Sequence, residues 1–178
     1  MIKYLLDTNI VIYVIKRRPI EVLGVFNQHA GRMAMSAITL AELYHGAEKS
    51  AQVTTNLKVI EDFASRLEVL PYTALVAQHY GAIRSELEKL GMPIGVNDLH
   101  IAAQARSQGL VLVTNNVAEF ARVPGIMVEN WVAASQKRAC PRFCVNGLMA
   151  GNCQSSQRKR NDRKQRTDRP PVGGLQKT

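Results

Sequence analysis

The sequence predicts an α/β fold with a mostly parallel central sheet. Short, uninterrupted apolar runs, such as Tyr4–Leu6 and residues 110–113, are typical of strands that are buried on both faces. Segments with helical spacing of their apolar residues separate these runs, and the clearest of them is the amphipathic stretch at residues 73–90. Strands that alternate with helices indicate β-α-β units, which build parallel sheets.

The first half of the chain predicts two strands and four helices. The strand Tyr4–Leu6 precedes a helix that we expect to begin at Asn9, with Thr8 or Asn9 as its cap, and to end near Lys16. Pro19 disfavours helical backbone in the residue before it and suits the first turn of the next helix. The later elements are expected at residues 19–28 (helix), 32–36 (strand), 38–49 (helix) and 54–65 (helix).

The second half continues this alternation. A loop with two glycines and a proline, residues 91–97, follows the amphipathic helix and separates it from one that we expect Asp98 to open and Gly109 to end. Trp131 is predicted to be the last core residue. The other elements are expected at residues 67–70 (strand), 110–113 (strand), 115–120 (a turn and a short helix) and 126–129 (strand).

The net charge of +9 is concentrated at one end of the 178-residue chain. Residues 1–132 contain 12 Lys and Arg against 12 Asp and Glu, whereas residues 133–178 contain 11 basic and 2 acidic residues, so 11 minus 2 gives the whole excess. Polar residues, Pro and Gly dominate the second part, and apolar periodicity is absent from it. We therefore predict a folded domain at 1–132 and a basic, disordered extension at 133–178 that could bind nucleic acid nonspecifically.

The composition also indicates a compartment. All three cysteines lie in the extension, at Cys140, Cys144 and Cys153, so the cysteine-free domain suits a reducing cytosol. Neither a signal peptide nor a stretch of about 18 apolar residues is evident. We expect a soluble, cytoplasmic protein without a membrane span.

Four polar side chains fall where α/β sheets place their ligand sites. Asp7 follows the first strand, and Asn116 follows the strand at residues 110–113. Parallel strands bring both residues to the same edge of the sheet. The helices that carry Glu42 and Asp98 can begin at that edge as well, so we expect three carboxylates and one amide oxygen to share a cleft.

Each of these residues also has a purely structural explanation. Asp7 and Asp98 can cap the helices that follow them. Glu42 can form a capping box with Thr39, and Asn116 can belong to a turn. Together, however, three carboxylates in one cleft would repel one another and raise their own pKa values unless a cation compensates. Oxygen ligands without paired His or Cys favour Mg²⁺ or Mn²⁺ over zinc.

Four motifs in order carry a family resemblance. They are Leu6-Asp7-Thr8-Asn9, Thr39-x-x-Glu42, Gly95-x-x-Asp98-x-x-Ile101-Ala102 and Val113-Thr114-Asn115-Asn116-x-x-x-Phe120. Between Met1 and about Trp131 the chain resembles PIN-domain ribonucleases and, more narrowly, the VapC toxins of bacterial toxin–antitoxin pairs. The resemblance implies a PIN-like three-layer α/β/α sandwich and an Mg²⁺-dependent endoribonuclease, with Mn²⁺ as a substitute metal.

The resemblance also implies roles for individual residues. Asp7, Glu42 and Asp98 correspond to the acidic metal ligands of the family. Asn116 occupies a catalytic position where many PIN domains carry a fourth acid, and its neutral side chain puts a second, tightly held metal in doubt. Glu119, one turn away, is a candidate replacement for that acid. The hydroxyls that would orient a carboxylate or a metal-bound water belong to Thr8 and Thr114.

The resemblance implies three partners for the chain. The first is an RNA substrate, with initiator tRNA, cut in its anticodon loop, as the leading expectation. The second is a cognate antitoxin of the VapB type, which inserts a C-terminal segment near the acidic cleft. The third is a second copy of the chain in a homodimer.

Other functions would use the same elements differently. A phosphoaspartyl enzyme of the haloacid-dehalogenase type also has an Asp after its first strand, but it needs a second Asp where this chain has Asn9. A nucleotide-binding Rossmann domain would need a glycine-rich loop after that strand, and none is present. A non-catalytic RNA-binding or regulatory module with a PIN-like fold, using the basic extension, remains the alternative that metal-dependent cleavage would exclude.

Overall fold

The computed structural model describes residues 1–132, and a five-stranded sheet lies at its centre. The strands are β1 (Tyr4–Leu6), β2 (Met33–Ser36), β3 (Glu68–Leu70), β4 (Val111–Val113) and β5 (Met127–Glu129). They lie in the order β3-β2-β1-β4-β5, and every neighbouring pair is parallel. All five predicted strands are confirmed. The chain order reverses between β1 and β4, and open α/β sheets bind their ligands beyond the carboxyl ends of strands at such a point.

Helices cover both faces of this sheet. They are α1 (Thr8–Lys16), α2 (Glu21–Gln28), α3 (Ala37–Glu48), α4 (Val53–Ala64), α5 (Ala74–Lys89), α6 (Val96–Gln108) and α7 (Val117–Phe120). Strand β1 shows how the two layers form, because its side chains alternate between them. Leu5 packs in a core with Ile83 of α5 and Ile101 of α6, whereas Leu6 packs in a second core with Ile10 of α1. The predicted three-layer α/β/α sandwich is confirmed.

The structure shows which residues cap two of the helices, and for α1 it confirms the structural explanation of Asp7 and not a cap by Thr8 or Asn9. Helix α1 begins at Thr8, and its cap is Asp7, whose carboxylate accepts a hydrogen bond from the backbone N–H of Thr8. Helix α3 is capped by Ser36, whose hydroxyl oxygen accepts from the N–H of Ile38 at 3.1 Å. The capping box considered for Glu42 is therefore absent, and the Glu42 carboxylate is available for contacts with other elements.

Two other helix starts also differ from the prediction. Helix α6 begins at Val96 after Gly95 and not at Asp98, because the turn starts two residues earlier. Asp98 is consequently not a cap but lies in the first turn, where the helix dipole favours a negative charge. Helix α2 begins at Glu21, so Pro19 precedes it instead of opening it.

The described part of the chain includes Trp131, the predicted last core residue, and Val132 also packs against the core. Trp131 is only 2% exposed, and its indole ring lies 5.2 Å from the rings of both Tyr4 and His29. The predicted disordered extension at residues 133–178 lies outside the described residues and stays a prediction. Within residues 1–132, no helix is both long enough and apolar enough to span a bilayer.

Candidate active site

The carboxyl ends of β1 and β4 bring the predicted site residues together. Asp7 directly follows β1, and its backbone N–H donates to the carbonyl of Val113 at the end of the neighbouring strand. Thr114 follows β4, and its hydroxyl donates to the Asp7 carboxylate at 2.6 Å. The pairing of β1 with β4 therefore determines the position of the acid relative to the hydroxyl, as the parallel-sheet argument predicts.

Asp7 is both a helix cap and the most buried carboxylate of the cluster. Its side chain is 3% exposed, and its oxygens accept from the N–H of Thr8 at 2.7 Å and from the hydroxyl of Thr114. Burial raises the pKa of Asp7 above its usual value, and the negative charge of Glu42 raises it further, while the hydrogen bonds partly offset the rise. The structural and functional explanations of Asp7 are thus compatible, because one carboxylate serves both.

Asp98 has the most strongly shifted pKa in the cleft. Burial is the largest cause, followed by repulsion from Asp7, Glu119 and Glu42, and together these raise the pKa of Asp98 to about 7. A hydrogen bond between the carboxyl groups of Asp98 and Glu119 adds to this shift and lowers the pKa of Glu119. The four acids therefore act as one electrostatic unit, in which Glu119 joins the three predicted carboxylates.

Glu119 interacts with Asp98 through its charge, whereas Asn116 is neutral. Its Oε1 accepts from the backbone N–H of Gly95 at 2.9 Å, and its Oε2 accepts from the side-chain amide of Asn116. These two bonds, the backbone one first, lower the pKa of Glu119 and keep it ionised. Asn116 consequently lies at the site but contacts Glu119, and the fourth carboxylate comes from Glu119, the residue predicted as the replacement.

Glu42 reaches the cluster from α3 and is held from two sides. The hydroxyl of Thr8 donates to its Oε2, and the amide of Asn97 donates to its Oε1 at 2.8 Å. Thr8 and Thr114 therefore both orient carboxylates, as the resemblance implies. Asn97 was not among the predicted site residues, because nothing in the sequence beyond its place next to Asp98 distinguishes it.

The donor set at this cleft fits a hard divalent cation. Four carboxylates offer only oxygen ligands. Burial first, and then repulsion from neighbouring acids, raise the pKa values of Asp7 and Asp98, and a cation would offset both effects. Within residues 1–132, however, no three His, Cys, Asp or Glu side chains are already arranged to hold a metal ion. Cation binding would therefore require small side-chain movements that bring the carboxylate oxygens closer together.

Gly95 has no side chain, and the carboxylates of Asp98 and Glu119 lie close to its backbone. A Cβ at this position would lie 3.3 Å from Oδ2 of Asp98 and 3.8 Å from Oε1 of Glu119. Because the Gly95 backbone conformation (φ −56°, ψ 146°) suits any residue, Gly95→Ala should not destabilise the fold. Displacement of Asp98 by a few tenths of an ångström is expected to lower the RNA cleavage that the family resemblance implies by about tenfold, measured as the single-turnover rate at a constant concentration of divalent cation.

Gly81→Ala is the matched control for this substitution. Gly81 lies in α5, and an added Cβ would meet nothing within 4 Å. It should raise the melting temperature, since alanine favours the helix by about 1 kcal/mol, and leave cleavage unchanged. Equal cleavage rates for Gly95→Ala and Gly81→Ala would show that the close approach at Gly95 has no functional consequence.

The raised pKa of Asp98 predicts a pH-dependent stability difference between the wild type and Asp98→Asn. Below the unfolded-state pKa, near 3.8, the carboxyl is protonated in both states and no difference arises. As pH rises from there through about 7, the folded state resists ionisation, so the wild type loses stability relative to the variant. We expect Asp98→Asn to be more stable by about 1–2 kcal/mol at pH 8, after allowance for solvent screening.

Thermal unfolding in EDTA at pH 4.5 and pH 8 measures this difference. The difference in melting temperature between the wild type and Asp98→Asn should be small at pH 4.5 and larger at pH 8. A difference that is constant with pH, or one in which the wild type is more stable at pH 8, would show that folding does not raise the pKa of Asp98.

Comparison with known proteins identifies the family of this architecture. The family model described as "PIN domain" matches residues 4–126. The chain is 61% identical over 132 residues to the Ribonuclease VapC2 of Haemophilus influenzae, an alignment that covers 74% of this chain and 100% of that relative. It is 51% identical over 131 residues to the tRNA(fMet)-specific endonuclease VapC of Shigella flexneri, covering 74% and 99% of the two chains.

Solved structures show the same similarity. The DNA-bound VapBC structure from Salmonella typhimurium contains a chain that is 51% identical, with a TM-score of 0.71, and the match covers 74% of this chain and 99% of that one. The VapBC2 structure from Rickettsia felis, bound to a DNA fragment, matches with a TM-score of 0.69 and 41% identity, over 74% and 99% of the two chains. The chain is thus a member of the PIN-domain family and, within it, of the VapC proteins.

Proposed function

We propose that this chain is an Mg²⁺-dependent endoribonuclease and the toxin of a VapBC-type toxin–antitoxin pair. The observation that carries the proposal is the convergence of Asp7, Glu42, Asp98 and Glu119 beyond the carboxyl ends of β1 and β4, where hydrogen bonds hold Asp7, Glu42 and Glu119 and the Gly95 backbone lies against Asp98. The similarity to proteins named as ribonucleases supports the same activity. A cytoplasmic location accords with this role.

The residues of the cleft suit hydrolysis of a phosphodiester. A bound Mg²⁺, for which Mn²⁺ could substitute, would be held by Asp7, Glu42 and Asp98 and would supply charge neutralisation at the phosphate. Thr114 fixes Asp7, whose carboxylate is already tied to the start of α1. Asp98, in the first turn of α6, would bring its charge to the same cation.

We propose tRNA as the substrate class, with initiator tRNA cut in its anticodon loop as the specific case. The support is that relatives from Shigella flexneri and Salmonella typhimurium, both 51% identical, are named tRNA(fMet)-specific endonucleases. The test is incubation of the purified full chain with initiator tRNA and, as the control, elongator methionine tRNA, in Mg²⁺ or EDTA. We expect a single cut, in initiator tRNA but not in elongator methionine tRNA, and only when Mg²⁺ is present. Binding of the tRNA without cleavage would favour the non-catalytic RNA-binding module.

The proposed antitoxin has a groove available beside the acidic cleft. A cavity of about 300 Å³ lies between α1, α3 and α4, and its lining includes Ile12, Leu43, Ile60 and the site residue Glu42. An apolar segment that entered this groove would reach the carboxylate. The VapBC neighbours support an antitoxin of the VapB type as the occupant. The homodimer is proposed from the family resemblance, and sedimentation of the purified chain tests it.

The extension is not expected to contribute to specific cleavage. The relative from Haemophilus influenzae is covered completely by an alignment of 132 residues, which supports a self-sufficient domain at residues 1–132. A chain that stops after Val132 should fold and cut the same RNA, while its nonspecific RNA affinity should weaken and become less salt-dependent, because the net charge of +9 is removed. Circular dichroism, cleavage assays and binding at two salt concentrations measure these properties.

A truncated chain that unfolds would contradict the predicted domain boundary. A truncated chain that folds but no longer cuts its RNA would assign the extension to the enzyme. The full chain, assayed in parallel at each salt concentration, is the control for both outcomes.

A further inference from the structure

The Glu42 carboxylate connects three helices of the domain. Glu42 itself belongs to α3, the hydroxyl donor Thr8 belongs to α1, and the amide donor Asn97 belongs to α6. Each of the two carboxylate oxygens accepts one of these hydrogen bonds. Both donors are neutral, so they orient the carboxylate without cancelling its charge.

Glu42 needs such support because its neighbours repel it. Its negative charge contributes to the raised pKa values of Asp7 and Asp98, and repulsion of this kind is mutual. A glutamate side chain has several rotatable bonds, and fixing it opposes a substantial rotamer entropy. The donors aimed at both oxygens oppose rotation of the Glu42 side chain away from the other acids.

We propose that Asn97 is a positioning residue of the cleavage reaction. Its amide keeps the Glu42 carboxylate turned toward Asp7 and Asp98, so it acts through Glu42 and does not contact the RNA. The inference rests on the proposed ribonuclease activity, and it assigns a role to a residue that no motif of the sequence identifies.

A structural role for Asn97 accounts less well for its contacts. The side chain is exposed, and the cap of α6 is Gly95, so Asn97 neither fills the core nor caps its own helix. Its hydrogen bond reaches a residue 55 positions away in the sequence, on another helix. Exposed side chains without a capping role contribute little to stability, so substitutions at this position can be interpreted through activity.

The experiment compares Asn97→Gln, Asn97→Ala and Asn97→Asp in the full-length chain. Gln keeps the N–H donor on a longer stem, Ala removes it, and Asp replaces it with a repelling carboxylate. We expect cleavage rates in the order wild type, Gln, Ala, Asp, with kcat about tenfold lower for Ala, as for the loss of one hydrogen bond to a charged group. The KM for RNA should change less than about twofold, because Asn97 is not expected to contribute to binding of the RNA before the reaction.

Val96→Ala is the matched control for these variants. Val96 precedes Asn97 in the first turn of α6 and is 58% exposed. We expect this variant to cleave at the wild-type rate and all four variants to melt within about 2 °C of the wild type, as surface substitutions usually do. A rise in KM with unchanged kcat for Asn97→Ala would mean that Asn97 contacts RNA, which would overturn the proposal.

A double-mutant cycle with Glu42→Ala identifies the residue through which Asn97 acts. If Asn97 works through Glu42, then Asn97→Ala should cause no further loss of single-turnover rate in the Glu42→Ala background. Independent, multiplying losses would refute the proposal. The Asp98→Asn variant distinguishes failure of the Asn97 proposal from failure of the proposed function. If Asp98→Asn still cuts RNA, the ribonuclease site is wrongly assigned. If Asp98→Asn is inactive but Asn97→Ala is fully active, only the role of Asn97 is rejected.

Discussion

Replacing Asp98 with Asn is expected to lower RNA cleavage by at least about 100-fold while the fold is retained. The amide has the shape of the carboxylate but lacks the charge that, together with Asp7, is proposed to hold the divalent cation. Losses of about 10² to 10³ in kcat are typical when one group that stabilises transition-state charge is removed. Single-turnover cleavage of initiator tRNA in Mg²⁺ measures the effect, and the same loss is expected for Asp7→Asn.

Glu48→Gln serves as the matched control for the loss of a carboxylate. Glu48 is exposed at the end of α3, the helix that also carries Glu42, and is not among the acids that shift the pKa values of the cleft. This variant should cut RNA at the wild-type rate. If Asp98→Asn retains near wild-type activity, the assignment of the site is wrong; if Glu48→Gln is equally impaired, the loss reflects net charge and not the cluster.

Replacing Trp131 with Ala is expected to destabilise the domain by about 3–5 kcal/mol, the range for large aromatic side chains in a core. Trp131 is among the largest fully buried side chains in residues 1–132. Its ring packs edge-on against Tyr4 at the start of β1 and stacks on His29 after α2. The indole N–H also donates to Glu129 at 2.9 Å, so the truncation removes a hydrogen bond as well as packing.

Thermal or urea unfolding measures this loss, which corresponds to a decrease of roughly 10 °C in melting temperature for a domain of this size. Trp131→Phe keeps an aromatic ring in the same core and should lose substantially less. A Trp131→Ala variant as stable as the wild type would show that the folded domain ends before residue 131.

The strands and the sheet type were predictable because apolar runs and alternation with helices are local properties of the sequence. Residues 110–113 illustrate this, since an unbroken apolar run has few alternatives to a buried strand. Helix starts were less predictable, because several residues near each start can serve as the cap. Both Asp7 and Thr8 could cap α1, and the choice between them depends on a tertiary contact, the hydrogen bond from the Thr114 hydroxyl to the Asp7 carboxylate.

The site was predictable to the extent that parallel strands place their carboxyl ends together. That rule correctly brought Asp7, Glu42 and Asp98 into one cleft. It could not determine whether Asn116 or Glu119 faces Asp98, because this depends on the geometry of the short helix α7. Nor could it find Asn97, whose partner is 55 residues away and whose role depends on how α3 and α6 meet.

Sequencing of RNA 5′ ends after brief induction tests the central claim most directly. Cells that express the wild-type chain, the Asp98→Asn variant or no added protein are compared. If the chain is an endoribonuclease whose acidic cleft performs cleavage, new ends should accumulate at one site in a tRNA, the anticodon loop of initiator tRNA, with the wild type alone. No new ends with the wild type, or the same new ends with Asp98→Asn, would contradict the account.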